Sequence, residues 1–234
     1  MVILKRTLTE FTLLLLAALV TLCVPLNTSS QTEQLTITGV LIDNSGSLRS
    51  QFDRVLELGN GVIEHTHKQG QVSIFSFKSP GKPESSPPLI VAHTIWNQDK
   101  TVLTQYLNHL TIEPGQTNLF DAIHSMVKHI NIKADSEAKP DVRRILVLIT
   151  DGEDRKSKIK EKELITELQQ NRIRVYAVGL VQELENEPGL IRGNPKSKAI
   201  KFLSKIAKET GGRALFPKNN SAAAETLLLE LFAP

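Results

Sequence analysis

The sequence predicts an α/β fold: a doubly wound, mostly parallel central sheet with helices on both faces. After the first thirty residues, segments typical of strands alternate with segments typical of helices. Arg144–Thr150 (RILVLIT) and Arg174–Val181 (RVYAVGLV) are nearly continuous apolar runs, the pattern of parallel strands buried on both faces. Asn118–Ile130 carries its apolar residues at the spacing of an amphipathic helix, which is the kind of helix that covers such a sheet.

The remaining elements follow from the same two patterns. Short runs of β-branched and apolar residues indicate strands, and apolar residues three or four positions apart indicate helices. In chain order they are strand Leu35–Ile42, helix Ser50–Glu64, strand Gln71–Phe77, strand Leu89–Thr94, helix Lys100–Leu110, helix Lys158–Gln170, helix Lys198–Glu209, strand Gly212–Phe216 and helix Ser221–Leu231. Pro, Ser and Gly in Ser79–Pro88 indicate a loop. Since no repeat or long linker interrupts this order, we predict a single domain over residues 31–234.

Residues 1–30 have the pattern of a secretory signal peptide. Lys5 and Arg6 give a positive start, and the apolar run Phe11–Leu22 is shorter than the roughly 20 residues that cross a bilayer as a helix. Two alternatives stay open, an uncleaved membrane anchor and a lipidated N-terminus at Cys23. All three predict that the domain is secreted, periplasmic or at the cell surface.

Composition excludes several classes of protein. With 28 Lys and Arg against 25 Asp and Glu, the net charge of +3 argues against nucleic acid as the main partner. The 40% content of hydrophobic residues excludes disorder for most of the chain. Cys23 is the only cysteine, so no internal disulfide can form.

Oxygen-bearing side chains follow three of the predicted elements. The first strand runs into Asp43-Asn44-Ser45-Gly46-Ser47, Thr117 precedes a helix, and Asp151 ends a buried strand. In open α/β sheets the carboxyl ends of the strands form the binding edge. Two carboxylates and three hydroxyls suit a hard divalent cation, so Asp43, Ser45, Ser47, Thr117 and Asp151 predict a site for Mg²⁺, with Mn²⁺ or Ca²⁺ possible. The alternative is a set of ordinary turn and cap residues.

These motifs resemble the von Willebrand factor type A domain, from Leu35 to the C-terminus, and the secreted bacterial proteins with this domain look closest. The family's metal-ion-dependent adhesion site has Asp-x-Ser-x-Ser, then Thr, then Asp, as Asp43, Ser45, Ser47, Thr117 and Asp151 stand here. The resemblance implies that hydroxyls bind the ion directly and that the aspartates act through water. It also implies that a protein partner presents Glu or Asp to the ion, which makes the chain an adhesion module and not an enzyme.

Two other functions are kept as alternatives. One is a phosphatase-like hydrolase using the same strand ends, although Ser45 stands where such an enzyme needs a second Asp as general acid. The other is a subunit of a larger assembly, as in the chelatases that contain this domain. The loop Glu183–Lys198 is predicted to shape partner choice. Lys198, Lys201, Lys205 and Lys208 lie on one helix face, which is either solvated or part of a binding surface.

Overall fold

A computed structural model describes residues 34–78, 89–92, 94–113, 117–139, 141–184, 194–218 and 224–233, all within one compact unit, Gln34–Pro234. The predicted signal peptide, the predicted loop Ser79–Pro88 and most of the loop after Glu183 lie outside the described residues.

Within the described residues, the central sheet has six strands in the order β3-β2-β1-β4-β5-β6. They are β1 (Thr36–Asp43), β2 (Gly70–Lys78), β3 (Leu89–Ala92), β4 (Arg143–Thr150), β5 (Ile173–Gly179) and β6 (Ala214–Leu215). All neighbouring pairs are parallel except β3, which runs antiparallel to β2 at one edge. This confirms the predicted mostly parallel α/β sheet.

Helices cover both faces of the sheet. They are α1 (Phe52–Thr66), α2 (Lys100–Asn108), α3 (Leu119–Asp135), α4 (Glu161–Gln170), α5 (Pro195–Glu209) and α6 (Ala224–Leu231). One core contains apolar side chains of α3, α4 and α5, and a second contains those of α1, α2 and α6. Successive residues of a strand point to opposite faces, so Leu146 and Leu148 enter the first core, whereas Val147 and Ile149 enter the second.

Several element boundaries differ from the sequence prediction, among them the following three. The first predicted helix is preceded by a 3₁₀ helix, Gly46–Gln51, so that α1 begins at Phe52. The last long helix, α5, begins at Pro195, earlier than predicted, because the side chain of Asn194 caps it and proline suits its first turn. The strand β6 has two residues only, since its pairing with β5 is confined to Ala214 and Leu215.

Where the structure is described, none of the helices combines the length with the apolar character that a membrane span requires.

Candidate metal centre

The strand register brings two of the predicted loops together. β1 and β4 are parallel neighbours in the middle of the sheet, and Ile42 lies opposite Ile149. Asp43 therefore ends its strand beside Thr150, and Asp151 follows in the next position. Both strands end at the same edge, so the first and third motifs are adjacent in space although about a hundred residues separate them in sequence.

A chain of hydrogen bonds joins four of the five predicted site residues. The backbone N–H of Ser45 donates to Asp43 Oδ1 at 3.0 Å. The hydroxyl oxygens of Ser45 and Ser47 are 2.9 Å apart, and the Ser47 hydroxyl donates to Asp151 Oδ2 at 2.6 Å. Gly46 lies between the two serines and has open space around its Cα, so the turn is unobstructed. Ser47 is exposed to solvent while Asp43, Ser45 and Asp151 are buried, so the cluster opens at its serine end.

Thr117, the fifth residue, lies in the neighbouring loop. It is buried, and its carbonyl accepts a hydrogen bond of 3.0 Å from the backbone N–H of Arg155, four residues after Asp151. Within the described part of the chain, no hydrogen bond joins its hydroxyl to the other four side chains. The N-cap residue of α3 is Asn118, and its side chain makes no capping hydrogen bond. The structure thus joins the backbone of Thr117 to the loop that follows Asp151, and the contribution of its hydroxyl to the cluster stays a prediction.

Burial dominates the electrostatics of the two carboxylates. Loss of solvation raises the pKa of Asp43 to about 6, with the nearby charge of Asp151 adding to the rise and hydrogen bonds from Ser45 and Thr150 opposing it. Burial raises the pKa of Asp151 as well, against the hydrogen bond from Ser47. Two carboxylates at one buried point repel each other, and this repulsion is strongest when both are ionised.

The donor set fits a hard divalent cation. None of the ion pairs between described side chains involves Asp43 or Asp151, so no Lys, Arg or His of that part of the chain pairs with either carboxylate. The described residues also contain no group of three His, Cys, Asp or Glu in metal-binding arrangement. A cation here would therefore need hydroxyl ligands beside the two carboxylates, which is the composition of this cluster.

Sequence reasoning missed Thr150. This buried residue donates from its hydroxyl to Asp43 Oδ2 at 2.7 Å and accepts from the backbone N–H of Gly152 at 3.0 Å. Gly152 has a φ of +80°, a left-handed conformation that glycine adopts without strain. Thr150 thereby orients the carboxylate of Asp43 and the turn after β4. The available signal in the sequence was a polar residue, Thr150, directly after the apolar run Ile145–Ile149.

The loop after Asp151 is held against α3 by two inward-facing aspartates. Asp121 accepts hydrogen bonds from the backbone N–H groups of Lys158 and Ile159 at 3.0 Å. Asp154 accepts from the backbone N–H of Phe120 at 3.2 Å and from the Ser157 hydroxyl. The basic side chains of the same loop are exposed instead: Arg155, Lys156, Lys158 and Lys160.

The chain is similar to proteins of one family and to several solved structures. The family model of the von Willebrand factor type A domain matches residues 39–229. An aerotolerance-related membrane protein from Bacteroides fragilis is 15% identical with a TM-score of 0.58, and the match covers 84% of this chain and 96% of that one. The conserved hypothetical protein BatB from Bacteroides thetaiotaomicron is 15% identical with a TM-score of 0.58, over 83% of this chain and 96% of that one.

The pilus adhesin SpaC from Lactobacillus rhamnosus GG, in its open conformation, is 13% identical with a TM-score of 0.61. The match covers 86% of this chain and 30% of that one. At such low identities the similarity to solved structures concerns the fold alone. No curated protein matches the sequence.

Proposed function

Because the chain belongs to the von Willebrand factor type A domain family, we propose that it is a protein-binding module whose contact with its partner depends on a divalent cation. One observation carries the proposal: two buried carboxylates, Asp43 and Asp151, share a hydrogen-bonded cluster with two serine hydroxyls at the carboxyl edge of the sheet. Buried charges of one sign normally have a compensating partner, but no described basic side chain forms an ion pair with either carboxylate, and the attraction of Asp151 to Arg155 does not prevent burial from raising the pKa of Asp151.

Each residue of the cluster has a distinct task in this proposal. Ser45, Ser47 and Thr117 would offer neutral hydroxyl oxygens, while Asp43 and Asp151 would supply negative charge and hold the serines in place. A bound Mg²⁺, or Mn²⁺ or Ca²⁺ in its place, would supply a positive charge that an acidic side chain of the partner can ligate. Neutral hydroxyl donors leave more of that charge for the partner than carboxylate donors would.

The same geometry favours binding over catalysis. A phosphatase-like hydrolase needs an acid two residues after its strand-end aspartate, and Ser45 occupies that position. Its hydroxyl lies 2.9 Å from that of Ser47, so a second neutral group adjoins it. We therefore assign no catalytic role to the cluster.

The surface beside the candidate metal centre is rich in positive charge. Residues 153–163 and 195–205 together carry nine Lys and Arg against four Asp and Glu, whereas the whole chain has 28 against 25. The rest of the chain is therefore slightly acidic. The first of these segments adjoins Asp151, because the backbone N–H of Glu153 donates to Asp151 Oδ1 at 2.9 Å. Positive charge at this edge supports a partner that presents acidic residues.

Neutralising this charge should slow binding without removing its cation dependence. In the triple variant Lys156→Gln, Lys158→Gln, Lys160→Gln, we expect association with the partner to be about three to ten times slower at low ionic strength. Added salt should erase most of the difference between variant and parent. Association rates at two salt concentrations, by surface plasmon resonance, measure both effects.

The matched control carries Lys68→Gln, Lys128→Gln and Lys139→Gln, three exposed lysines outside both basic segments. Its association rate should stay close to that of the parent. An equal slowing in the control would show that net charge alone, and not its position beside the candidate centre, steers the partner.

Magnesium-dependent capture of a partner tests the proposed function itself. The protein is immobilised and exposed to envelope and extracellular fractions of its native source, in parallel with Mg²⁺ and with EDTA. Proteins retained with Mg²⁺ and absent with EDTA support the proposal, and equal retention in both contradicts it. The predicted signal peptide adds a proposed location outside the cytoplasm, which fractionation of the native source checks.

A further inference from the structure

A second cluster of charge lies at the opposite edge of the sheet. Arg143, Arg174 and Arg213 line one cavity of about 410 Å³, together with the aromatic rings of Tyr176 and Phe232. The cavity is at the amino ends of β4, β5 and β6, so the whole length of the strands separates it from the candidate metal centre. None of the five predicted metal-site residues lines it.

The strand register explains why three arginines meet there. Arg174 lies opposite Ile145, and Tyr176 lies opposite Val147, so both point to the face covered by α1, α2 and α6. Arg143 is two residues before Ile145 and points to the same face. Arg213 immediately precedes β6, whose Ala214 pairs with Ala177, so it lies beside Tyr176.

Two of the three arginines donate hydrogen bonds to neutral groups. Arg213 Nη1 donates to the backbone carbonyl of Glu230 at 2.5 Å, and Arg174 Nη1 donates to the Tyr176 hydroxyl at 3.5 Å. None of the ion pairs between described residues involves any of the three. Arg144, on the other face of β4, instead pairs with Asp135 at 2.9 Å. At this edge of the sheet, Arg144 on one face therefore has an acidic partner, whereas the three arginines on the other face form no ion pair with a described residue.

Two glycines line the cavity. Gly211 has a φ of +77°, and Gly212 follows it into β6. A Cβ on Gly212 would lie 1.9 Å from the carbonyl oxygen of Val175, so no other residue fits there without moving the backbone. Gly211 and Gly212 therefore place no side chain next to the arginines. The aromatic rings of Tyr176 and Phe232, with centroids 4.9 Å apart, form an adjoining wall.

We propose that this arginine cavity binds a phosphate group. Three guanidinium groups around one cavity repel each other, so the anion that compensates them best carries more than one negative charge. Phosphate carries up to two negative charges and three oxygens, and guanidinium forks bind such oxygens in pairs. A single carboxylate offers one charge and two oxygens, which would leave one arginine unmatched. The phosphate comes either from a soluble compound or from a lipid headgroup.

Titration calorimetry of the full chain with inorganic phosphate and with pyrophosphate tests the soluble source. EDTA is present throughout, so that a cation at the other edge contributes nothing. We expect measurable binding, tighter for pyrophosphate, and at least about tenfold weaker in Arg174→Gln. The matched control is Arg172→Gln, an equal loss of charge at an exposed residue two positions earlier that does not line the cavity, and it should bind as the parent does.

Sedimentation with vesicles tests the lipid source. Vesicles of phosphatidylcholine containing phosphatidic acid are compared with phosphatidylcholine alone, for the parent, Arg174→Gln and Arg172→Gln. Arg174-dependent binding to the phosphatidic acid vesicles, without binding of free phosphate, assigns the site to a headgroup. Absence of binding in both experiments overturns the proposal, and so does an equal loss in the two variants. Neither result bears on magnesium-dependent capture of a protein partner.

Discussion

Replacing Ser45 and Ser47 together by alanine is expected to abolish magnesium-dependent capture of the partner. The two hydroxyls lie 2.9 Å apart, and Ser47 is the exposed end of the cluster. With both removed, Asp43 and Asp151 remain buried, but the neutral donors between them are gone. Retention of the partner with Mg²⁺ should then fall to the level seen with EDTA.

The fold should survive this double substitution. Ser47 loses one hydrogen bond to Asp151 and the pair loses one between its own hydroxyls, so we expect the free energy of unfolding to fall by no more than about 2 kcal/mol. Urea unfolding in EDTA measures this loss. A double variant with Ser125→Ala and Ser136→Ala, on and just after α3, controls for loss of serine hydroxyls elsewhere. Full magnesium-dependent capture by the Ser45/Ser47 variant would refute the assignment of the serines.

The metal-free protein is expected to lose stability as pH rises from about 4 to about 6. The folded pKa of Asp43 is about 6, above the ordinary value of 3.8, so the folded state holds the proton more tightly than the unfolded chain does. Its contribution to stability is complete below pH 3.8 and disappears as pH rises through 6. The difference between the folded pKa of about 6 and the ordinary pKa of 3.8 corresponds to about 3 kcal/mol of folding free energy for Asp43. The raised pKa of Asp151 acts in the same direction.

Magnesium should reverse this loss, because a cation compensates the carboxylates only when they are ionised. The stabilisation by Mg²⁺ should therefore be small near pH 4 and largest above pH 6. Urea unfolding across this range, with Mg²⁺ and with EDTA, measures both effects. His65 and His129 have pKa values lowered by burial and act in the opposite direction, so the comparison needs Asp43→Asn. In that variant the pH slope between 4 and 6 should flatten and the Mg²⁺ response should disappear; an unchanged slope would contradict the role given to Asp43.

Sequence patterns predicted the sheet well because strands that are buried on both faces consist almost entirely of apolar residues. β4 supplies Leu146 and Leu148 to one core and Val147 and Ile149 to the other, so apolar residues are required at each successive position from Leu146 to Ile149. The same patterns gave no direction for β3, since a run of four apolar residues is compatible with either pairing. Its antiparallel pairing with β2 follows from the tertiary fold.

For the candidate site, the adjacency of Asp43 and Asp151 followed from both residues ending central parallel strands. The chain of hydrogen bonds through Ser45 and Ser47 depends on side-chain orientations that periodicity does not contain. The role of Thr150 was missed for the same reason, since its hydroxyl is significant only once β1 and β4 are paired. The arginine cavity was missed because its three arginines lie on or next to three strands whose order in the sheet was not known.

The direction of β1 determines at which edge of the sheet a tether or neighbouring domain would be attached. The described chain enters at the edge of the sheet where the backbone N–H of Arg143 donates to the carbonyl of Leu35, and the last described residue, Ala233, lines the cavity at that same edge. The eight residues of β1 then carry the chain roughly 25 Å to the serines. A tether attached before Gln34 or after Ala233 would thus join the domain at the edge opposite the serines, which would leave the proposed partner-binding edge accessible.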